Sequence, residues 1–172
     1  TIPLSPYALS KLTGEHFCRL FHELYGFETF ALRYFNVYGP RQHPDSRYAA
    51  VIPRFIQSIF AGIPPTVYGD GTQTRDFTFV DDVVSANLAC CNAPASAAGR
   101  IYNIAGGNRT SILELLEFLG RILSRHVQPE FGEVPVGHVH DSEADPSRAL
   151  EALGWSSELP LADGLQQTVD WF

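Results

Sequence analysis

The 172-residue chain reads as an α/β protein, and three observations predict that class. Leu9, Leu12, Phe17, Leu20, Phe21 and Leu24 recur at helical spacing until Gly26 ends the pattern. The continuous apolar run Phe30-Ala31-Leu32 follows almost at once, as expected of a strand covered on both faces in a parallel sheet. Further short strand-like segments then alternate with helical ones, which is the order of an α/β domain.

The first helix is predicted over Pro6–Tyr25. Ser5 can cap it, and Pro6 suits its first turn because proline's missing N–H has no partner there anyway. A strand is predicted over residues 29–35. It runs into Asn36-Val37-Tyr38-Gly39-Pro40, so a polar side chain appears at the carboxyl end of a parallel strand, where open sheets bind ligands. The polar stretch of residues 41–47 is a loop, either a lid over substrate or plain surface. Pro53 is expected to open a helix that ends at Gly62. Thr66–Tyr68 is a short strand, and residues 75–79 form one strand of strict alternation, with Asp76 and Thr78 on one side and Arg75, Phe77 and Phe79 on the other. Asp81 or Asp82 is expected to cap the next helix, through Cys91. A strand at residues 101–104 precedes a capping box, Ser111 with Glu114, that starts another helix. The last two helices are expected from Asp145-Pro146 to Gly154 and from about Asp163 to the end.

Charge and cysteine usage narrow the function. A formal charge of −7 argues against a general nucleic-acid or anionic-membrane surface, so any bound anion must be held by a few local arginines. No stretch approaches the ~18 apolar residues of a membrane span. Cys18, Cys90 and Cys91 have neither disulfide-scaffold nor zinc spacing and read as reduced, mostly buried thiols of a cytoplasmic protein. The chain holds no methionine, and its helix-borne chemistry begins a few residues after Thr1, so it is expected to be the trailing part of a longer protein.

The chemistry centres on Ser5-Pro6-Tyr7-Ala8-Leu9-Ser10-Lys11. Tyr7 falls in the first helical turn, where unpaired N–H groups create a positive field, and Lys11 lies one turn later on the same face. Both favour a phenolate and suit Tyr7 to shuttle a proton. Lys11 is the only lysine among twelve basic residues, the rest being arginines. An ammonium is compact enough to stand beside a phenol and donate to sugar hydroxyls, whereas a guanidinium is larger and planar. The bland alternative is a half-buried aromatic beside a solvated charge. Arg75 shares its strand face with apolar residues and so needs an anionic partner, either a phosphate or a carboxylate of Asp70, Asp76 or Asp81.

Four ordered blocks then resemble the extended short-chain dehydrogenase family, specifically nucleotide-sugar 4-epimerases. They are Ser5-Pro6-Tyr7 to Lys11; residues 32–40; Tyr68-Gly69-Asp70-Gly71 with Arg75-Asp76-Phe77; and Asn103-Ile104 before the Ser111 helix. The resemblance implies the C-terminal part of a doubly wound, Rossmann-type fold without its dinucleotide-binding half. Residues 1–40 would end the Rossmann-type part and residues 41–172 would mainly bind substrate. It also implies NAD as cofactor and a UDP-hexose as substrate, inverted at C4 through a 4-keto sugar. Tyr7 would take the sugar proton, and Lys11 would hold the nicotinamide ribose. Tyr34 and Phe35 would pack near the nicotinamide or serve as core aromatics. Asn36 and Arg75 would grip the diphosphate; Val67, Tyr68 and Gly69 would pass beside the uracil; Ala50, Val51 and Arg54 would face the nucleotide. A homodimer through the first helix is implied as well.

Two departures accompany the resemblance. Gly69, Gly71, Gly106 and Gly107 lack the spacing of a dinucleotide loop, which the family carries well before this tyrosine. His140 stands where relatives commonly carry an arginine; it can still donate a hydrogen bond, over a shorter reach. His138 with His140 supplies only two of the ligands a zinc site needs, so no metal is expected. The alternatives are a 4,6-dehydratase or decarboxylase of the same family, and a non-catalytic nucleotide-sugar-binding module.

Overall fold

The computed structural model describes residues 2–3, 5–43, 51–134 and 139–172. Helix α1 spans Pro6–Tyr25, with the Ser5 hydroxyl oxygen accepting the Ala8 N–H at 3.1 Å and Gly26 closing it at φ 70°. Strand β1 (Phe30–Tyr34) follows, then β2 (Val37–Tyr38), α2 (Val51–Ala61), β3 (Thr66–Tyr68), β4 (Thr74–Arg75), β5 (Thr78–Phe79) and α3 (Val80–Cys91). After a 3-10 turn at Ala95–Ala97 come β6 (Arg100–Ile104), β7 (Thr110–Ser111), α4 (Ile112–Ile122), β8 (Glu130–Gly132), α5 (Ser147–Leu153) and α6 (Leu161–Trp171).

The strands pair in four two-stranded ladders. β1 lies parallel to β6, from Phe30 opposite Arg100 to Tyr34 opposite Ile104. β2 lies parallel to β5 and β3 to β8, while β4 is antiparallel to β7. The larger core gathers Ile52, Phe55, Ile56 and Ile59 of α2, Leu115, Leu116 and Leu119 of α4, and Leu165 and Val169 of α6 around Tyr38, Val67 and Phe79. Fully burying each such side chain stabilises by roughly 1.5–3 kcal/mol, so this cluster dominates the fold's stability. A second cluster joins Val83 and Ala86 of α3 to Tyr102, Ile104, Ala149 and Trp155.

Helix α1 is different, because none of its residues is buried. Phe17, Leu20, Phe21, Leu24 and Tyr25 are all exposed. What ties it to β1 is polar: Arg33 donates to both carboxylate oxygens of Glu15 at 2.6 and 2.7 Å, and the Thr29 hydroxyl donates to the Cys18 carbonyl at 2.7 Å.

Several expectations are corrected. The single strand expected over residues 75–79 is two strands, β4 and β5, which pair with different partners on either side of Asp76 and Phe77. Asp76 and Thr78 are both fully buried, and Phe79 is buried as well. Asp81 and Asp82 do not cap α3; Phe79 occupies that position and both carboxylates lie in the first turn. Buried Asp82 instead accepts the Ser157 hydroxyl at 2.7 Å and the N–H groups of Glu158 and Leu159. Helix α2 already includes Val51, and α6 starts at Leu161 rather than Asp163. Cys91 is exposed and Cys18 and Cys90 are half-buried, so the thiols are less buried than expected.

Candidate functional site

Most of the sequence-predicted residues line one of two cavities, which border consecutive residues at the carboxyl end of β1. The first, of about 630 Å³, is lined by Tyr7 and Lys11 of α1 and by Leu32, Tyr34 and Phe35 of β1 and its end. Tyr7 and Lys11 do share a face of their helix: the Lys11 ammonium stands 5.3 Å from the centroid of the Tyr7 ring. The phenol is exposed and open to a ligand. The Tyr34 hydroxyl donates to Asn87 Oδ1 at 3.0 Å, which fixes that ring at the cavity's border.

The second cavity, of about 210 Å³, begins at the very next residue. Asn36, Val51, Arg54, Val67, Tyr68 and Arg75 all line it. Asn36 lies in the left-handed region at φ 32°, a conformation asparagine tolerates better than most residues, and its Nδ2 donates to the Asp76 carbonyl at 2.9 Å. The Arg75 Nη1 donates to the carbonyls of Thr74 at 2.7 Å and His140 at 2.9 Å. Burial lowers the Arg75 pKa from its ordinary value, and the charge of Asp141 opposes that shift. Among the described residues Asp141 is a carboxylate whose field reaches Arg75, and sequence reasoning did not consider it.

Two predicted contacts lie elsewhere. The His140 imidazole is largely exposed, with Nδ1 3.1 Å from Asp141 Oδ2, and only its backbone carbonyl serves Arg75. Gly69 turns the chain out of β3 at φ 76°, with its N–H donated to the Gly132 carbonyl, and it does not line the cavity. Ala50 and His138 lie outside the described residues.

The sequence reading gave Gln73 no role and offered Asp76 only as a partner for Arg75. Gln73 is buried in the wall of the second cavity, and its Nε2 donates to the Tyr68 carbonyl at 2.7 Å, holding β3 against the floor. Asp76 is fully buried, and its carboxylate accepts the N–H groups of Gly106 at 2.8 Å, Gly107 at 3.2 Å and Ala144 at 3.3 Å. Burial pushes its carboxyl above the usual range, against the pull of those N–H groups and that of Asn108. A buried polar residue inside an alternating strand was the only available signal. Because Gly106 and Gly107 give their N–H groups to Asp76, they are not arranged as a phosphate loop, as their spacing predicted.

The arrangement is that of an α/β protein with a phenol, an ammonium, an amide and a guanidinium gathered where its first parallel strand ends. Residues 1–105 match the NAD dependent epimerase/dehydratase family. The chain is 37% identical over 170 residues to the UDP-glucose 4-epimerase of Mycolicibacterium smegmatis, covering 99% of this chain and 53% of that protein. It is similar to the crystal structure of UDP-glucuronic acid 4-epimerase from Bacillus cereus in complex with UDP-glucuronic acid and NAD, at TM-score 0.90 and 38% identity, over 99% of this chain and 53% of that one. The UDP-N-acetylglucosamine 4-epimerase from Methanobrevibacter ruminantium, in complex with UDP-N-acetylmuramic acid, superposes at TM-score 0.93 and 37% identity, over 99% of this chain and 54% of that one. This chain belongs to the NAD-dependent epimerase/dehydratase family. It spans about half the length of the curated relatives it matches.

Proposed function

We propose that this chain is the C-terminal, substrate-side part of an NAD-dependent epimerase that inverts C4 of a UDP-hexose. The observation that carries the reading is the junction at Phe35 and Asn36: consecutive residues border a cavity holding the Tyr7–Lys11 pair and a cavity holding the Asn36–Arg75 pair. A reacting sugar joined to a nucleoside diphosphate needs those two environments side by side.

The first cavity fits the nicotinamide riboside end of NAD, since an ammonium and a phenol line it together with the aromatic side chains of Tyr34 and Phe35. Bound there, the nicotinamide supplies a reversible hydride acceptor for sugar C4. Tyr7 takes the proton from the sugar 4-hydroxyl as the C4–H bond breaks, and returns it when the 4-keto sugar is reduced on its other face. Lys11 donates to the ribose hydroxyls and offsets the negative charge left on the phenol. Asn36 and Arg75 hold the diphosphate, with Arg75 suited to it by its planar fork of donors. Val67 and Tyr68, beside Gln73, form the wall along which the base lies. The exposed row Phe17, Leu20 and Leu24 supports a second proposal, that α1 meets a second copy of the protein.

The test is the protein expressed with the natural sequence that precedes Thr1, given UDP-galactose and UDP-N-acetylgalactosamine, with Tyr7→Phe alongside. Removing one positioned acid/base group typically costs 10²–10⁴-fold, so turnover is expected to fall by about that factor with substrate affinity little changed. A Phe variant as fast as its parent refutes the assignment, and a dehydrated product identifies the dehydratase branch of the family.

A further inference from the structure

Asp76 neither lines the second cavity nor contacts the first, yet three separate parts of the chain converge on it. Its backbone carbonyl accepts from Asn36, at the end of β1. Its carboxylate accepts the N–H groups of Gly106 and Gly107, just past the end of β6. The same carboxylate accepts the N–H of Ala144, in the segment before α5. That segment is tied four residues earlier to β4, because Thr74 N–H and Arg75 Nη1 both donate to the His140 carbonyl and the Thr74 hydroxyl donates to Asp141 at 2.7 Å. The approach is close: a Cβ on Gly106 would come within 2.8 Å of the Phe77 carbonyl and 3.1 Å of the Asp76 carboxylate.

Resting on the nucleotide-sugar reading, we infer that Asp76 is the positioning residue of the diphosphate site: by clamping both loops it holds the Asn36 amide and the Arg75 guanidinium toward one anion. The physical need is specific. Asn36 is held at a positive φ, and Arg75 leans on the carbonyl of a segment that, among the described residues, joins a strand only through the bridge of Thr74 to Asp141. Both are side chains that relax in other directions when their supports move, and each support ends at Asp76. A carboxylate does this where an amide cannot, since all of its partners are donors.

The inference is tested with Asp76→Asn in the protein carrying its natural upstream sequence. The asparagine keeps the volume but turns an N–H₂ group toward an N–H. Affinities for UDP and for uridine are measured by ligand-observed NMR, with the far-UV circular dichroism spectrum and melting temperature of each protein recorded. Expected is a folded variant whose UDP dissociation constant rises tenfold or more while that for uridine changes less than twofold, because only the diphosphate feels Asn36 and Arg75. Equal weakening of both ligands, or unchanged UDP affinity in a folded variant, overturns the inference and leaves the nucleotide-sugar reading standing. A wild type that binds neither UDP nor a UDP-sugar overturns that reading and the inference with it. Should the variant not fold, hydrogen exchange in the wild type decides. UDP is expected to slow exchange of the Gly106, Gly107 and Ala144 N–H groups tenfold more than uridine does, relative to Leu119 in α4, by reciprocal coupling. Equal effects of the two ligands overturn the inference.

Discussion

The Glu15–Arg33 pair is expected to be the main fastening of α1, the helix that carries Tyr7 and Lys11. The perturbation is a double-mutant cycle of Glu15→Ala and Arg33→Ala. Exposed ion pairs contribute about 0.2–1 kcal/mol, whereas breaking a buried one costs about 3–5 kcal/mol. This pair is bidentate, with the Glu15 side chain 13% exposed and Arg33 41% exposed, so it falls between those limits. Discounting for solvent around the guanidinium gives a coupling energy of about 1–2 kcal/mol. Hydrogen bonding to Arg33 holds the Glu15 carboxyl below its ordinary value, and Glu15 in turn raises Arg33. A depressed carboxyl contributes stability that is fully present above its unfolded value near ~4.3 and is lost as the pH falls through the lower folded value. The assay is urea unfolding of the four proteins at pH 7 and pH 3, with coupling expected at the first and largely gone at the second. A coupling below about 0.3 kcal/mol at pH 7, or one that does not change with pH, refutes the reasoning.

Two further outcomes are expected. Ser111→Ala removes one half of a complete capping box at the start of α4, where Ser111 and Glu114 each satisfy the other's backbone N–H, and should lower unfolding free energy by about 1 kcal/mol in a urea titration. Leu165→Ala empties a fully buried position between α6 and the larger core and should cost about 2–5 kcal/mol, read as a lowered melting temperature.

What could be read from the amino acids was whatever depends on near neighbours. The Ser5 cap, the Gly26 stop and the Ser111–Glu114 box involve residues within a few positions, and each formed as expected. The shared face of Tyr7 and Lys11 followed from their one-turn spacing. Alternation over residues 75–79 told which residues oppose one another but not which ladder each joins, and pairing with β7 on one side and β2 on the other broke the strand in two. Asp76 and Asp82 read as a partner for Arg75 and a helix cap, because the N–H groups that satisfy them come from loops far along the chain. His140 was assigned by the family resemblance, but its ring turned to Asp141 while its carbonyl took the contact with Arg75.

The four ladders share a property with kinetic consequences. None is a hairpin: the nearest partners in sequence are Arg75 and Thr110, and β1 finds its partner only at Arg100. Each ladder must close a long loop before its own contacts form, which slows that step of folding. During synthesis the β1–β6 ladder cannot be completed until Ile104 has left the ribosome, long after β1 itself.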